Sequence, residues 1–140
     1  APGPGLGRDI LHPADAERIQ LERNVQREQA QNDALLRRRY STLHDIDAVK
    51  ARSLLELQSN IDILQTNLAN TRLQIEALQT RAAMSERSGR DVPEELLNNL
   101  ATLETDIQET REQIRQRQTE YQLHSDRFDE DRRRFEIISR

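Results

Sequence analysis

Two runs of arginine are the first residues whose type and spacing point to chemistry: Arg37, Arg38 and Arg39, then Arg132, Arg133 and Arg134. Clustered guanidinium groups can hold phosphate, lipid head groups or a nucleic acid backbone through charge-assisted hydrogen bonds. Carboxylates crowd the same segments, however: Asp45, Asp47, Asp126, Asp129, Glu130 and Asp131. The preferred reading is therefore a self-neutralising surface network, with an anion-binding surface as the alternative.

The remaining candidates are weaker. If the chain folds back on itself, Asp47 comes to face Asp131. A buried carboxylate pair raises one of its two pKa values and can serve acid–base work. Screening by Lys50, Arg132 or water is the preferred reading of that pair. His12, His44 and His124 form no i, i+4 pair, and no carboxylate cluster has metal-ligand spacing. Lys50 is the sole lysine, so a lysine-based site has one candidate, and it falls on an apolar seam. The stretch "DRFDEDRRRF" lacks the glycine and glutamate spacing of a calcium loop. The chain has no phosphate loop, nucleophile elbow or dinucleotide fingerprint. No residue is assigned as catalytic, cofactor-binding or metal-ligating, and the expectation is a non-enzymatic protein with no small-molecule substrate.

Composition sets the frame for these residues. The chain has 140 residues, a formal net charge of -4, 33% charged and 3% aromatic residues. Mean hydropathy is -0.91. There is too little apolar material for a multilayered core. The polar residues are mostly strong helix formers, which points to long helices. The small net charge gives no global bias toward nucleic acid or anionic membrane, so nucleic acid is disfavoured and a membrane surface stays open as a partner. Cysteine is absent, which removes disulfide and thiolate chemistry. No run of about 18 apolar residues exists, so no helix is expected to span a bilayer. The chain begins at Ala1 without Met, as expected for a processed or trimmed product.

Three segments follow from the pattern. Residues 1–13 hold three of the four prolines and three of the four glycines, and read as a flexible tail or linker. Residues 14–40 are polar and helix-prone. Their apolar members (Ile19, Leu21, Val25, Leu35 and Leu36) keep no steady period, and such a helix is marginal alone in water. Thr42 with Asp45 three residues on reads as a helix N-cap with an acidic first turn, so a kink or a fresh helix start is expected near Ser41.

Residues 41–140 carry an apolar seam. Leu54, Leu57, Ile61, Leu64, Leu68, Thr71, Ile75, Leu78 and Ala82 alternate spacings of three and four. The alternation resumes at Leu96, Leu100, Leu103, Ile107, Thr110, Ile114, Arg117, Tyr121, His124, Phe128, Asp131, Phe135 and Ile138. This is the a/d pattern of a coiled coil, with period 3.5. Between the two runs, at residues 87–92, the helix formers give way. Gly89 suits the left-handed conformation that ends a helix, and Asp91 suits an N-cap with Glu94 as its capping-box partner. Pro93 fits the first turn of the next helix. The stretch therefore reads as the tip of an antiparallel hairpin.

Register supports folding back. In an antiparallel pair, facing residue numbers have a constant sum. Setting Ala82 against Leu96 fixes that sum at 178 and brings Ile75 to Leu103, Leu64 to Ile114, Leu57 to Tyr121, Lys50 to Phe128 and Leu43 to Phe135. A parallel dimer would instead stack Arg117 on Arg117. The one good cross-helix ion pair expected is Arg72 with Glu104. The fold class is thus all-α: a long antiparallel helical hairpin, an intramolecular coiled coil, preceded by an extra polar helix. Arms of some 45 residues would give a rod of about 65 Å.

"ALLRRRYSTLHDIDAVKARSLLELQSNI", "RSGRDVPEELLNNLATLETDI" and "RFDEDRRRFEII" resemble the C-terminal coiled-coil region of a group of uncharacterised proteobacterial exported (periplasmic) proteins. Those proteins often carry a small N-terminal domain of unknown function. The resemblance covers residues 35–140 and implies a periplasmic or cell-envelope location, with no activity attached. The expected function is a structural or interaction protein of the envelope: a rod-like spacer, adaptor or assembly subunit. Residues 14–40 are expected to overhang the hairpin without a partner in their own chain, and so to dock on another protein or another copy. The alternative function is a binding module for anionic surfaces through Arg37, Arg38, Arg39, Arg132, Arg133 and Arg134.

Overall fold

The computed structural model describes residues 12–140, so the expected tail lies, but for His12 and Pro13, outside the described residues. Three helices follow in order: α1 (Pro13–Arg39), α2 (Leu43–Arg87) and α3 (Glu94–Ile138). The described residues contain no strand. The chain is all-α, with α2 and α3 forming a helical hairpin.

Each helix boundary has a local cause. Helix α1 starts on His12, whose Nδ1 accepts a hydrogen bond from the Ala14 N–H at 3.3 Å, with Pro13 in the first turn. It ends at Tyr40, where the backbone turns extended (φ -128°, ψ 137°). The interruption near Ser41 is thus a full break. Helix α2 then starts with a reciprocal cap. The Asp45 N–H donates to Thr42 Oγ1 (3.2 Å), while Asp45 Oδ2 accepts from the Ser41 and Thr42 N–H groups (3.0 Å each). The two side chains satisfy backbone donors that an open helix end would leave unpaired.

The α2–α3 turn closes as its glycine suggests. Gly89 has φ +70°, its N–H donates to the Glu86 carbonyl (3.0 Å), and the Arg90 N–H reaches back to the Ser85 carbonyl (2.9 Å). Those two bonds form a Schellman motif around a left-handed residue. The start of α3 differs from expectation. Leu96 and Leu97 donate to the Pro93 carbonyl (3.1 and 3.2 Å), which places the cap at Pro93 and makes Glu94 the first helical residue. Asp91 stays exposed in the loop. A cap at Asp91 would require Val92 to be helical, and a residue before proline is disfavoured in that conformation.

The contacts divide the chain into two compact units. One unit, Asp47–Asp129, is built from α2 and α3. Its buried residues are Ile61, Ile75, Leu96, Ile107 and Ile114, all on the expected seam. Leu54, Leu57, Leu64, Leu68, Leu78, Leu100, Leu103, Tyr121 and Phe128 are half-buried along the same line. Lys50 Nζ donates to Asp129 Oδ1 at 2.7 Å, within one residue of the expected register. This ion pair links the two helices, whereas Arg72 and Glu104 remain exposed.

The period is corrected away from the turn. His124 is exposed and Ser125 takes the half-buried place, while Ser53 joins Leu54. Arg117 also leaves the seam: it is exposed, and its Nη1 donates to Glu120 on its own helix at 2.8 Å. Inward positions recur every 3.6 residues, so ten turns of about 36 residues carry Ala82 to Ile46 and Leu96 to Arg132. A strict heptad lags an α-helix by about 20° per repeat, enough over this length to move the inward face by one residue.

The other unit comprises Ala1–Ile46 and Glu130–Arg140, described from His12 onward. All three helices contribute to its buried residues: Leu36 and Asp33 from α1, then Tyr40, then Ile46 from α2, then Phe135 from α3. Ile46 is fully enclosed, at 0% exposure. Leu43 and Ile138 are half-buried beside this set in the sequence of their helices.

Candidate functional site

Helix α1 is where structure and expectation part most clearly. Asp33, Leu36 and Tyr40 are spaced three and four apart, so the end of α1 presents one stripe. All three are buried. Arg134 on α3 donates from Nε to Asp33 Oδ1 and from Nη2 to Asp33 Oδ2, both at 2.8 Å. The pair is bidentate, the geometry for which a guanidinium fork is suited. The Asp33 side chain is only 12% exposed and Arg134 37%. Gln29 Nε2 adds a third donor to Asp33 Oδ1 at 3.1 Å.

The electrostatics follow from these contacts. The Arg134 hydrogen bonds lower the Asp33 carboxyl to a pKa of about 2, against the opposing effect of burial; Gln29 and the charges of Arg134 and Arg37 help. Asp33 in turn raises the guanidinium pKa of Arg134. The expectation that residues 14–40 find no partner in their own chain is therefore overturned for the end of α1. Its cause is a polar link between residues 101 positions apart, which hydrophobic periodicity does not register.

The arginine runs separate as a result. Arg134 is committed to Asp33 and Arg132 is half-buried. Arg37, Arg38, Arg39 and Arg133 are exposed. Arg134 is thereby withdrawn from the candidate anion contacts. Asp47 is exposed, so a buried carboxylate couple cannot include it. Lys50 is engaged by Asp129. His44 and His124 are exposed. Among the described residues, no group of three or more His, Asp or Glu side chains could hold a metal ion, and no helix is long and apolar enough to cross a membrane.

The other end of α1 has a different character. From residue 20 to residue 32 every side chain is exposed, and only Asp15 and Ile19 before it are half-buried. Leu21 and Val25 stand open at 65% and 63% exposure. What steadies this stretch is local: Arg18 with Asp15 at 3.1 Å, Gln20 with Asn24 at 3.1 Å, and the His12 cap. Pairs three or four residues apart contribute only about 0.2–0.5 kcal/mol each. One helix thus has a pinned end and a bare end.

The sequence matches no protein-family model, and no curated protein or solved structure matches it either.

Proposed function

We propose that the chain is a non-enzymatic interaction protein whose docking element is the bare part of α1. The observation that carries this reading is the contrast within one helix. The Asp33–Arg134 pair fixes its end, while Leu21 and Val25 remain open to solvent. A polar helix gains little by standing alone, so a bare stretch of an anchored helix is suited to being covered by a partner. The hairpin serves as the spacer or adaptor that carries this element, with the heptad-patterned seam as its coiled-coil interior. A cell-envelope setting, as an assembly subunit, rests on the resemblance of residues 35–140 to periplasmic proteins.

The test is affinity capture from a bacterial envelope extract, comparing the full chain with a deletion of residues 1–32 that keeps Asp33. Proteins retained by the full chain and lost with the deletion support the reading. An unchanged set, with unchanged oligomeric state, overturns it. The alternative, an anionic-surface module, keeps the exposed Arg37, Arg38, Arg39 and Arg133. Vesicles of anionic lipid that bind the chain, and release it on charge reversal of Arg37, Arg38 and Arg39, would favour that alternative.

A further inference from the structure

We propose that the bare stretch of α1 pairs antiparallel with the same stretch of a second copy, Leu21 of each against Val25 of the other. The inference rests on the reading of α1 as the docking element and names its occupant. Ala14, Arg18, Leu21, Val25, Glu28 and Asn32 alternate spacings of four and three along one side of the helix. All six are exposed. At 100° per residue, this line lies about 70° around the helix from the line that buries Asp33, Leu36 and Tyr40. The intramolecular anchor therefore leaves it uncovered.

Charge selects the partner and its direction. Antiparallel pairing that sets Leu21 against Val25 has facing residue numbers summing to 46. The same register sets Arg18 against Glu28 of the second copy, and the two-fold axis repeats the pair. Ala14 then meets Asn32. Four apolar side chains fill the centre, with an arginine–glutamate pair at each side. Parallel pairing would stack Arg18 on Arg18 and Glu28 on Glu28, two repulsive contacts. The antiparallel direction alone satisfies both the apolar and the charged positions of the line. Residues 14–32 span about 28 Å, so the interface is small, and the dimer belongs to the weak, transient class.

Sedimentation equilibrium of the full chain, from about 1 µM to about 1 mM, measures the pairing directly. The expected result is a monomer–dimer equilibrium with a dissociation constant on the order of 10–100 µM. Arg18→Glu alone and Glu28→Arg alone should each weaken it about tenfold or more, as should the double change Leu21→Asp with Val25→Asp. The charge-swapped chain Arg18→Glu/Glu28→Arg should regain the wild-type constant, whereas parallel pairing predicts no weakening by either single change, because like charge still stacks on like. An equimolar mixture of the two single charge variants should also associate, which shows that both keep a folded α1. A wild-type chain that stays monomeric to about 1 mM overturns the self-pairing, as does a dimer unmoved by Arg18→Glu. Neither result touches the broader reading if capture of another protein still depends on residues 1–32. Loss of every α1-dependent contact would overturn both.

Discussion

Arg134 grips Asp33 with two hydrogen bonds of 2.8 Å, one to each carboxylate oxygen, and joins the end of α1 to the end of α3. Among the described residues of its unit, the buried side chains are Leu36, Tyr40, Ile46 and Phe135 alongside Asp33. In so small a cluster, the ionic link stands beside the burial of Leu36 and Tyr40 as a means of holding the helix. Removing one partner leaves the other desolvated and unpaired, which costs more than the pair itself contributes.

Arg134→Ala should therefore release α1 while leaving the Asp47–Asp129 unit intact. Hydrogen exchange gives the measurement. Amides of residues 30–39 are expected to exchange at least about tenfold faster, with amides of residues 57–80 unchanged. Arg134→Lys should rescue only partly, because an ammonium cannot span both carboxylate oxygens. Equal protection of α1 in wild type and Arg134→Ala would show that apolar burial of Leu36 and Tyr40 holds the helix alone.

Acid should act on the same unit. The Asp33 carboxyl is lowered to about 2, chiefly by its Arg134 hydrogen bonds, and the Asp45 carboxyl is lowered by the Ser41 and Thr42 backbone N–H groups. An unfolded aspartate titrates near about 3.9. A folded pKa below the unfolded one means that the unfolded chain binds protons first as pH falls. The stabilisation is thus fully present above about pH 5, begins to fall as pH drops through about 4, and is gone for Asp33 once pH passes below about 2. Thermal melts between pH 7 and pH 2 should show this decline. Asp33→Asn should remove the Asp33 share of the pH dependence, whatever it does to the melting temperature at pH 7.

The contrast between legible and illegible features has a physical basis. Gly89 was legible because a lone glycine between two long runs of helix formers marks a chain reversal, and glycine enters the left-handed region at no steric cost. The seam from Leu57 to Leu78 was legible because burial repeats there, and repetition averages out single exceptions. Asp33 escaped because a buried charge has no hydrophobic signature and its partner lies far along the chain. The short spacing of Asp33, Leu36 and Tyr40 was the available signal, but three positions do not make a period. Ile46 escaped for another reason. A strict heptad counted back from Ala82 lands on Asp47, while ten turns of the 3.6-residue helical repeat land on Ile46.

Replacement at Gly89 tests the turn. Its φ of +70° is strained for any residue with a Cβ, yet nothing lies within 4 Å of the position a Cβ would take. The whole cost of Gly89→Ala is therefore conformational, about 1–2 kcal/mol. Gly89→Asn should cost less, since asparagine tolerates the left-handed region better. Chemical denaturation of the two variants measures both. A larger loss for asparagine than for alanine would place the cost in crowding and not in backbone conformation.

Neighbouring substitutions in α2 decide which period governs its first turns. Ile46 is fully enclosed, Asp47 is exposed, and the two differ by one position in a single helix. Ile46→Ala should then destabilise by about 2–5 kcal/mol, because the site loses buried methyl groups and keeps a cavity. Asp47→Ala should cost no more than about 1 kcal/mol, the range for an exposed charged side chain and its contacts. Leu55→Ala, at a position 66% exposed, serves as the apolar control and should be near neutral. Urea unfolding of the three variants, followed by circular dichroism, separates the outcomes. If Asp47→Ala and Ile46→Ala were equally damaging, the inward face would follow the strict heptad to this end of α2. The observed burial requires Ile46→Ala to be the more damaging, because the difference between the two repeats, about a tenth of a residue per turn, has become a whole residue over ten helical turns.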